Sequence, residues 1–438
     1  MNKKREKITD EITIPNTLAK DIERKVTDLP SLEREIEKNL SRSTSEFLNM
    51  IMAGGIALGT SDIHIEPTEE NAKIRIRIDG VLQDVITFEK KRYQDIISRI
   101  KLISGVKLNI ENKPQDGRFT ILYPGKKEEH SIEIRMSILP SEYGGAVVMR
   151  ILDPRNLITI DKLGLSDDLL DIFKREIKKP NGMIIVTGPT GSGKTTSLYA
   201  FLKHINSPGI KIITIEDPIE YHLDGISQTE VNPEEGYDFA NGLRAIVRQD
   251  PDAILVGEIR DLETATIGLQ AALTGHTVFS TLHTNDAAGA IPRLQALGEK
   301  PVNIAPAINV IIAQRLLRAL CDRCKEDIKL EETGHFEKIK EILENVSEKT
   351  VTFSEETKVF KAKGCKSCNF TGYKGRLGVF EALVVNEDLE NLIFSNPSTT
   401  DIRKKAIENG MITLLQDGII KFLNGKTDLE EVDRVVGL

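Results

Sequence analysis

The chain has 438 residues, a formal net charge of -8 at pH 7, four cysteines and no tryptophan. That length carries two or three domains whose cores need no disulfides, while the acidic balance and scarce aromatics argue against non-specific nucleic-acid binding and single-strand stacking. The basic opening Met1–Lys7 runs into mixed polar residues instead of an apolar core, and no apolar run approaches the ~20 residues of a membrane span, so the chain reads as cytosolic or peripheral to a membrane.

Residues 1–44 are rich in Lys, Glu, Asp and Asn with thinly spread apolar residues, and are expected to form an N-terminal arm, extended or with short helices docked elsewhere. From Glu46 to Gly59, the residues Phe47, Leu48, Ile51, Met52 and Ile56 share one helical face, and an alternating strand follows over 61–67. Lys73–Gly80 alternates strictly, with Ile74, Ile76 and Ile78 on one face and Arg75 and Arg77 on the other, and Asp79-Gly80 supplies a tight turn. A helix near Arg92–Ser104, a turn at Lys113–Arg118 and strands near Phe119–Leu122 and Ser131–Ile138 complete an α+β domain over 45–152. Pro154 and its polar neighbours mark a linker, 153–160.

Beyond it the pattern changes to short β-branched strands alternating with longer helices, as in a P-loop α/β sheet. The stretch GPTGSGKT, Gly188–Thr195, fits the phosphate-binding pattern at every fixed position, after a buried strand and before a helix carrying Leu198, Phe201, Leu202 and Ile205. Gly188, Gly191 and Gly193 let the loop, which also holds Pro189, Thr190 and Ser192, curl so that its backbone N–H groups aim at phosphate oxygens. The helix N-terminus, with Thr196 in its first turn, adds a favourable dipole. Lys194 is expected on the β and γ phosphates of ATP and the Thr195 hydroxyl on Mg2+.

Three further stretches place polar groups at the ends of apolar strands, where a parallel sheet gathers its ligand. In Ile213–Glu220, Glu216, Asp217 and Glu220 crowd together and can orient a water or accept its proton; a solvated turn explains the same residues. Asp252–Asp261 resembles a Walker B strand whose acid, Glu258, is displaced by Gly257. Leu273–Thr284 holds His276 and His283 seven apart, so a regular strand cannot present both on one side; a histidine in such a run is more often a packed core residue than a ligand, and the polar density of Thr274, Ser280, Thr281 and Thr284 raises the case for both as γ-phosphate sensors.

The ordered set GPTGSGKT, TIEDPIE, LVGEIRD and TGHTVFSTLHTND resembles the secretion ATPases of type II secretion and type IV pilus assembly, over about residues 45–438. The resemblance implies a RecA-like P-loop NTPase domain over 161–438, preceded by a smaller α+β, PAS-like domain. It implies a hexamer whose two domains move against each other during ATP turnover. Glu258 is then the Mg2+-associated acid and Glu220 the catalytic carboxylate, with Glu216 as runner-up. Arg118 and Arg135 match arginines that family members bring to the nucleotide, where a guanidinium stabilises charge on the transferring phosphoryl group. Without the resemblance both read as strand surface. Arg244, Arg248 and Arg260 also match family arginines and suit a subunit or domain contact.

Cys321-Asp-Arg-Cys324 and Cys365-Lys-Ser-Cys368 use all four cysteines in two C-x-x-C pairs, a ligand set for a closed, structural four-thiolate Zn2+ site within a subdomain over 318–375. Free thiols, disulfides or a redox pair are the alternatives, and a cytosolic chain disfavours disulfides. Residues 376–438 read as amphipathic helices. About 45 leading residues are too few for the extra N-terminal domains of the longest family members, which dock on a membrane-bound partner or bind a cyclic dinucleotide.

The reading is thus a cytosolic, Mg2+-dependent ATPase, peripheral at the inner membrane, that assembles a pilus or pseudopilus with an inner-membrane platform protein and a cytoplasmic docking protein, and without nucleic acid. The rivals are a pilus retraction motor, which generally lacks the cysteine insertion, a DNA-translocating or conjugative-type ATPase, and a nucleotide-gated scaffold without turnover.

Overall fold

The computed structural model describes residues 11–125, 129–347 and 350–438, so the basic segment Met1–Lys7 lies outside the described residues. The chain divides into two compact units: one runs to Asn156 and takes in Lys363–Lys374, and the other comprises Leu157–Ala362 and Gly375–Leu438.

The first unit contains, in order, β1 (Glu11–Thr13), α1 (Asn16–Lys25), α2 (Leu29–Lys38), α3 (Thr44–Ala57), β2 (Asp62–Pro67), β3 (Asn71–Ile78), β4 (Val81–Glu89), α4 (Lys90–Ile103), β5 (Gln115–Tyr123), β6 (His130–Ser141) and β7 (Gly144–Leu152). Its seven strands lie in the order β1-β5-β6-β7-β2-β3-β4. On β3, Ile74, Ile76 and Ile78 are buried while Arg75 and Arg77 face outward, as strict alternation requires of a half-buried strand.

Of the two forms expected for residues 1–44, the described part, 11–44, takes that of short docked helices, with a short strand ahead of them. β1 pairs in parallel with β5, and Ala19, Ile22, Leu32 and Ile36 enter the same core as Phe47 and Ile51. The apolar residues are few, but Leu32 and Ile36 are spaced to share a stripe, and one stripe suffices to seat a helix.

The expected turn at Lys113–Arg118 is also partly strand, because β5 begins at Gln115. Gly117 read as a turn residue is there for close approach: a Cβ on it would stand 2.6 Å from the Ser104 carbonyl oxygen.

The second unit contains α5 (Asp167–Ile177), β8 (Gly182–Thr187), α6 (Lys194–Ile205), β9 (Ile212–Glu216), β10 (Ser227–Glu230), α7 (Phe239–Val247), β11 (Ala253–Val256), α8 (Leu262–Leu273) and β12 (Thr277–Leu282). It continues through α9 (Ala290–Leu297), α10 (Pro301–Ile304), β13 (Ile308–Leu320), β14 (Glu326–Lys329), α11 (Phe336–Ile342), β15 (Lys358–Lys361) and β16 (Tyr373–Val384). Four helices close the chain: α12 (Glu387–Phe394), α13 (Thr399–Glu408), α14 (Leu414–Leu423) and α15 (Leu429–Val436).

The large sheet has the order β10-β9-β11-β12-β8-β13-β16. From β10 to β13 every pairing is parallel. All residues of β8, β9, β11 and β12 are buried, because one apolar cluster covers each face of the sheet. The result is a RecA-like sheet with the P-loop strand β8 between β12 and β13.

Candidate functional site

All the groups expected around the phosphates, apart from the first unit's arginines, belong to the second unit, and the parallel sheet explains why they meet. In register, Leu282 of β12 and Ala313 of β13 both stand beside Thr187, the last residue of β8. Whatever follows these strands therefore surrounds the P-loop. Gly191 and Gly193 adopt φ of 80° and 88°, and a Cβ on Gly193 would stand 2.9 Å from the Gln314 side-chain nitrogen. Glycine is favoured at both positions by the left-handed backbone.

Lys194 opens α6, and its Nζ donates to the carbonyls of Gly188 at 2.9 Å and Pro189 at 3.1 Å. Burial pulls its ammonium below the ordinary lysine range. Glu258 opposes that shift, Arg315 adds to it and Glu220 opposes it. The two acids singled out in the sequence thus both act on the P-loop lysine.

Glu258 follows β11 after Gly257, whose N–H continues the ladder to the Ile215 carbonyl at 2.8 Å. The acid is displaced because the ladder runs one residue past the apolar run. One Glu258 oxygen is paired with Arg260. The other lies 3.3 Å from His283 Nε2, an ion pair only when that ring is protonated. That second oxygen is buried and accepts no hydrogen bond, as is the Ser192 hydroxyl of the P-loop. A buried carboxylate oxygen without a donor, beside a phosphate loop, fits a hard cation such as Mg2+.

Glu216 is differently placed. It is 4% exposed, and Tyr199 donates to one oxygen while Thr214, at 2.6 Å, and Gln228, at 3.2 Å, donate to the other. Burial, reinforced by the Glu216 carboxylate, pushes the Tyr199 phenol up, so this hydroxyl stays a donor. Glu220 is four residues further along, in the half-buried loop after β9.

The two histidines are separated by the length of β12, about 20 Å at ~3.3 Å per residue. His283 stands at the P-loop end beside Glu258. His276 precedes the strand, its Nδ1 is 3.1 Å from the Ala271 carbonyl, and its own carbonyl accepts the Gly182 N–H at the start of β8. Within the chain His276 is therefore not brought to the P-loop, which corrects the pairing of both histidines as phosphate sensors. Arg244 is paired with Glu263, and Arg248 is exposed at the end of α7.

Sequence reasoning missed Gln314 and Arg315. Gln314 accepts from Ser197 of α6 at 2.8 Å. The Arg315 guanidinium donates to the carbonyls of Gln314 at 3.0 Å and Asn285 at 2.7 Å. The signal was there, as two polar residues interrupt the apolar run Val310–Ala313 beside the P-loop strand.

In the first unit, Arg118 on β5 stands opposite Arg135 on β6, and Arg135 opposite Arg150 on β7. Directly opposed residues share a face, so three arginines form a row. Arg150 ends it against Asp62 at 3.0 Å.

The sulfur atoms of Cys321, Cys324, Cys365 and Cys368 all lie within 4.8 Å of one another. Each pair closes a tight turn, with Cys324 N–H on the Cys321 carbonyl and Cys368 N–H on the Cys365 carbonyl, both 3.1 Å. The Cys365 and Cys368 sulfurs are 3.8 Å apart, close to the edge of a tetrahedron with metal–sulfur bonds of about 2.3 Å. Such a set can hold a metal ion. Among the described residues no helix is long and apolar enough to cross a membrane.

The family described as "Type II/IV secretion system protein" matches residues 37–434. Type II secretion system ATPase E of Vibrio cholerae serotype O1 is 43% identical over 410 residues, which is 93% of this chain and 78% of that protein. Type IV pilus assembly ATPase PilB of Pseudomonas aeruginosa is 40% identical over 422 residues, 95% of this chain and 72% of that protein. The solved structure of the Legionella pneumophila ATPase DotB, 21% identical, superposes with a TM-score of 0.63 over 90% of this chain and 96% of that one. That likeness concerns the fold.

Proposed function

This chain belongs to the type II/IV secretion system protein family and is an assembly ATPase of it, and on that premise we propose how its residues divide the work. ATP lies with its phosphates along Gly188–Thr196, where loop N–H groups and the α6 N-terminus face them. The Lys194 ammonium leaves the Gly188 and Pro189 carbonyls for the β and γ oxygens. Thr195 and Glu258 hold Mg2+, which neutralises phosphate charge when bound. Glu220 orients the attacking water and takes its proton. Glu216, with both oxygens engaged by donors, fixes the end of β9 from which Glu220 is hung.

His283, on Glu258, reports the γ-phosphate. Arg118 and Arg135 complete the site when the first unit closes in a hexamer, and Arg150 extends their row. The cysteines hold one structural Zn2+, four thiolates leaving no open position for a substrate. The motor works in the cytoplasm at the inner membrane, against a platform protein and a docking protein of the pilus or secretion machine.

The observation that carries this reading is the buried Glu258 oxygen that accepts no hydrogen bond, together with the equally buried Ser192 hydroxyl of the P-loop. Its test is steady-state ATPase activity with Mg2+ for the wild type, Glu220→Gln, Arg118→Ala and Arg135→Ala, with nucleotide affinity, oligomer size and zinc content measured on the same samples. Turnover falling by about 10³ in all three variants, with binding kept, is expected. Wild-type turnover in Glu220→Gln would remove the proposed base. Wild-type turnover in the arginine variants would leave Arg118 and Arg135 as strand surface.

A further inference from the structure

The loop after β12 is gripped at four points, and the last two lead away from the phosphates. Thr284 shares a 2.7 Å hydrogen bond between hydroxyls with Thr187, the residue before the P-loop. Arg315 holds the Asn285 carbonyl at 2.7 Å, and its guanidinium is 3.2 Å from where a Cβ on Gly188 would stand. Asp286 accepts the Gly289 N–H at 2.8 Å and is paired with Arg403 of α13.

The fourth grip is Glu381 of β16, only 3% exposed. One of its oxygens accepts the Ala287 N–H of the loop at 2.9 Å, and the other accepts the N–H of Leu414, the first residue of α14, at 3.3 Å. α14 is held to the same strand a second time, by the Phe380 N–H on Asp417 at 2.8 Å.

We propose that Glu381 is a positioning residue that joins the phosphate-end loop, 283–287, to α14, so that a change of nucleotide moves the C-terminal helices with the loop. The chemistry calls for a carboxylate: two N–H donors, from parts of the chain far apart in sequence, need two acceptor oxygens on one rigid carrier. An amide has one. The bridge would also explain a buried acid that burial pushes up in pKa and that no counter-ion contacts directly. The inference rests on the reading of the P-loop as the ATP site.

Backbone hydrogen exchange by mass spectrometry tests it on the full chain, with Mg2+ and with or without a non-hydrolysable ATP analogue, for the wild type, Glu381→Gln and Leu414→Pro. The proline cuts the same bridge and leaves the acid intact. It removes the donated N–H at a first-turn position that favours proline, after a Thr413 already extended at ψ 162°; it also replaces the buried Leu414 side chain, so the melting temperature is measured on the same samples.

In the wild type the analogue is expected to slow exchange in both 283–289 and 415–423. In either variant the slowing is expected to persist in 283–289 and vanish in 415–423, with kcat down about tenfold and KM for ATP within about twofold. A purely structural role would instead loosen 415–423 equally with and without nucleotide, and would overturn the proposal. So would analogue-dependent slowing of 415–423 that survives in a folded variant, or a wild type that responds in the loop alone. A wild type that responds in neither segment and hydrolyses no ATP would bring down the ATP site itself, and the bridge with it.

Discussion

Glu216 and Glu220 compete for the role of catalytic carboxylate, and replacing Glu216 separates a structural acid from a reacting one. Truncation to alanine would strand two buried donors, the hydroxyls of Tyr199 and Thr214, which are 1% and 0% exposed. Each costs about 1–3 kcal/mol when left without an acceptor. Gln228 adds little, because its amide also donates to the Tyr221 carbonyl at 3.0 Å. With the small void added, Glu216→Ala should cost about 3–6 kcal/mol. At roughly 2–4 °C per kcal/mol for a domain of this class, the melting temperature falls by about 6–24 °C.

Glu216→Gln keeps one acceptor and offers an NH2 to the hydroxyl oxygens, so its cost is about 1–2 kcal/mol. The assay pairs thermal unfolding, followed by far-ultraviolet circular dichroism, with kcat measured well below the transition. Turnover of the glutamine variant within about threefold of wild type is expected, since the proton acceptor is elsewhere. A Glu216→Gln chain that melts like the wild type but turns over at least about 10²-fold more slowly would refute the reasoning and move the base to Glu216.

Cys365→Ser should reduce bound zinc from one ion per chain to none and open the segment between the cysteine pairs to proteolysis, with metal content and limited digestion as the readouts. Glu431 is 0% exposed and is held by Arg318 and Arg434, each at 2.6 Å. Burial pushes its carboxyl up, but Arg434 and Arg318 outweigh this and hold it below the ordinary 4.5. The stability it contributes is therefore present above that pH and lost as pH falls through the lowered value. Urea midpoints should drop below pH 4.5 in the wild type, and Glu431→Gln should flatten that drop while lowering the midpoint at pH 7. Gly117→Ala should cost the first unit about 1–3 kcal/mol, because the new Cβ meets a backbone oxygen that cannot step aside; an unchanged melting temperature would contradict the packing under α4.

Where a residue's role depends on its immediate sequence, the role was legible. The alternation of Ile74, Ile76 and Ile78 specified a half-buried strand, and the glycines of 188–193 specified the loop that Lys194 closes. Roles decided by distant partners were not. Nothing near Glu216 in sequence says that Tyr199 and Gln228 will occupy its oxygens. Gly117 looks like a turn residue until Ser104 is seen above it. His276 and His283 look alike until a strand of known rise separates them. Residues 11–44 look detached because their stripe is thin, and only the partner core shows that it is wide enough.

The strand order has a consequence for how the molecule is made. β8, which carries the phosphate loop, pairs with β12 and β13, whose residues follow it by about a hundred positions. On a ribosome adding ~5–20 residues per second, that is a wait of roughly 5–25 s during which the segment Gly182–Thr187, buried throughout in the finished sheet, has emerged without either neighbour. The pairing is also parallel and long-range, the slow kind. The phosphate loop is thus among the first parts of this unit to be synthesised and among the last that can take its working shape. Holding the nascent chain soluble through that interval is work for chaperones, and a substitution that speeds β9 and β11 together would not shorten it.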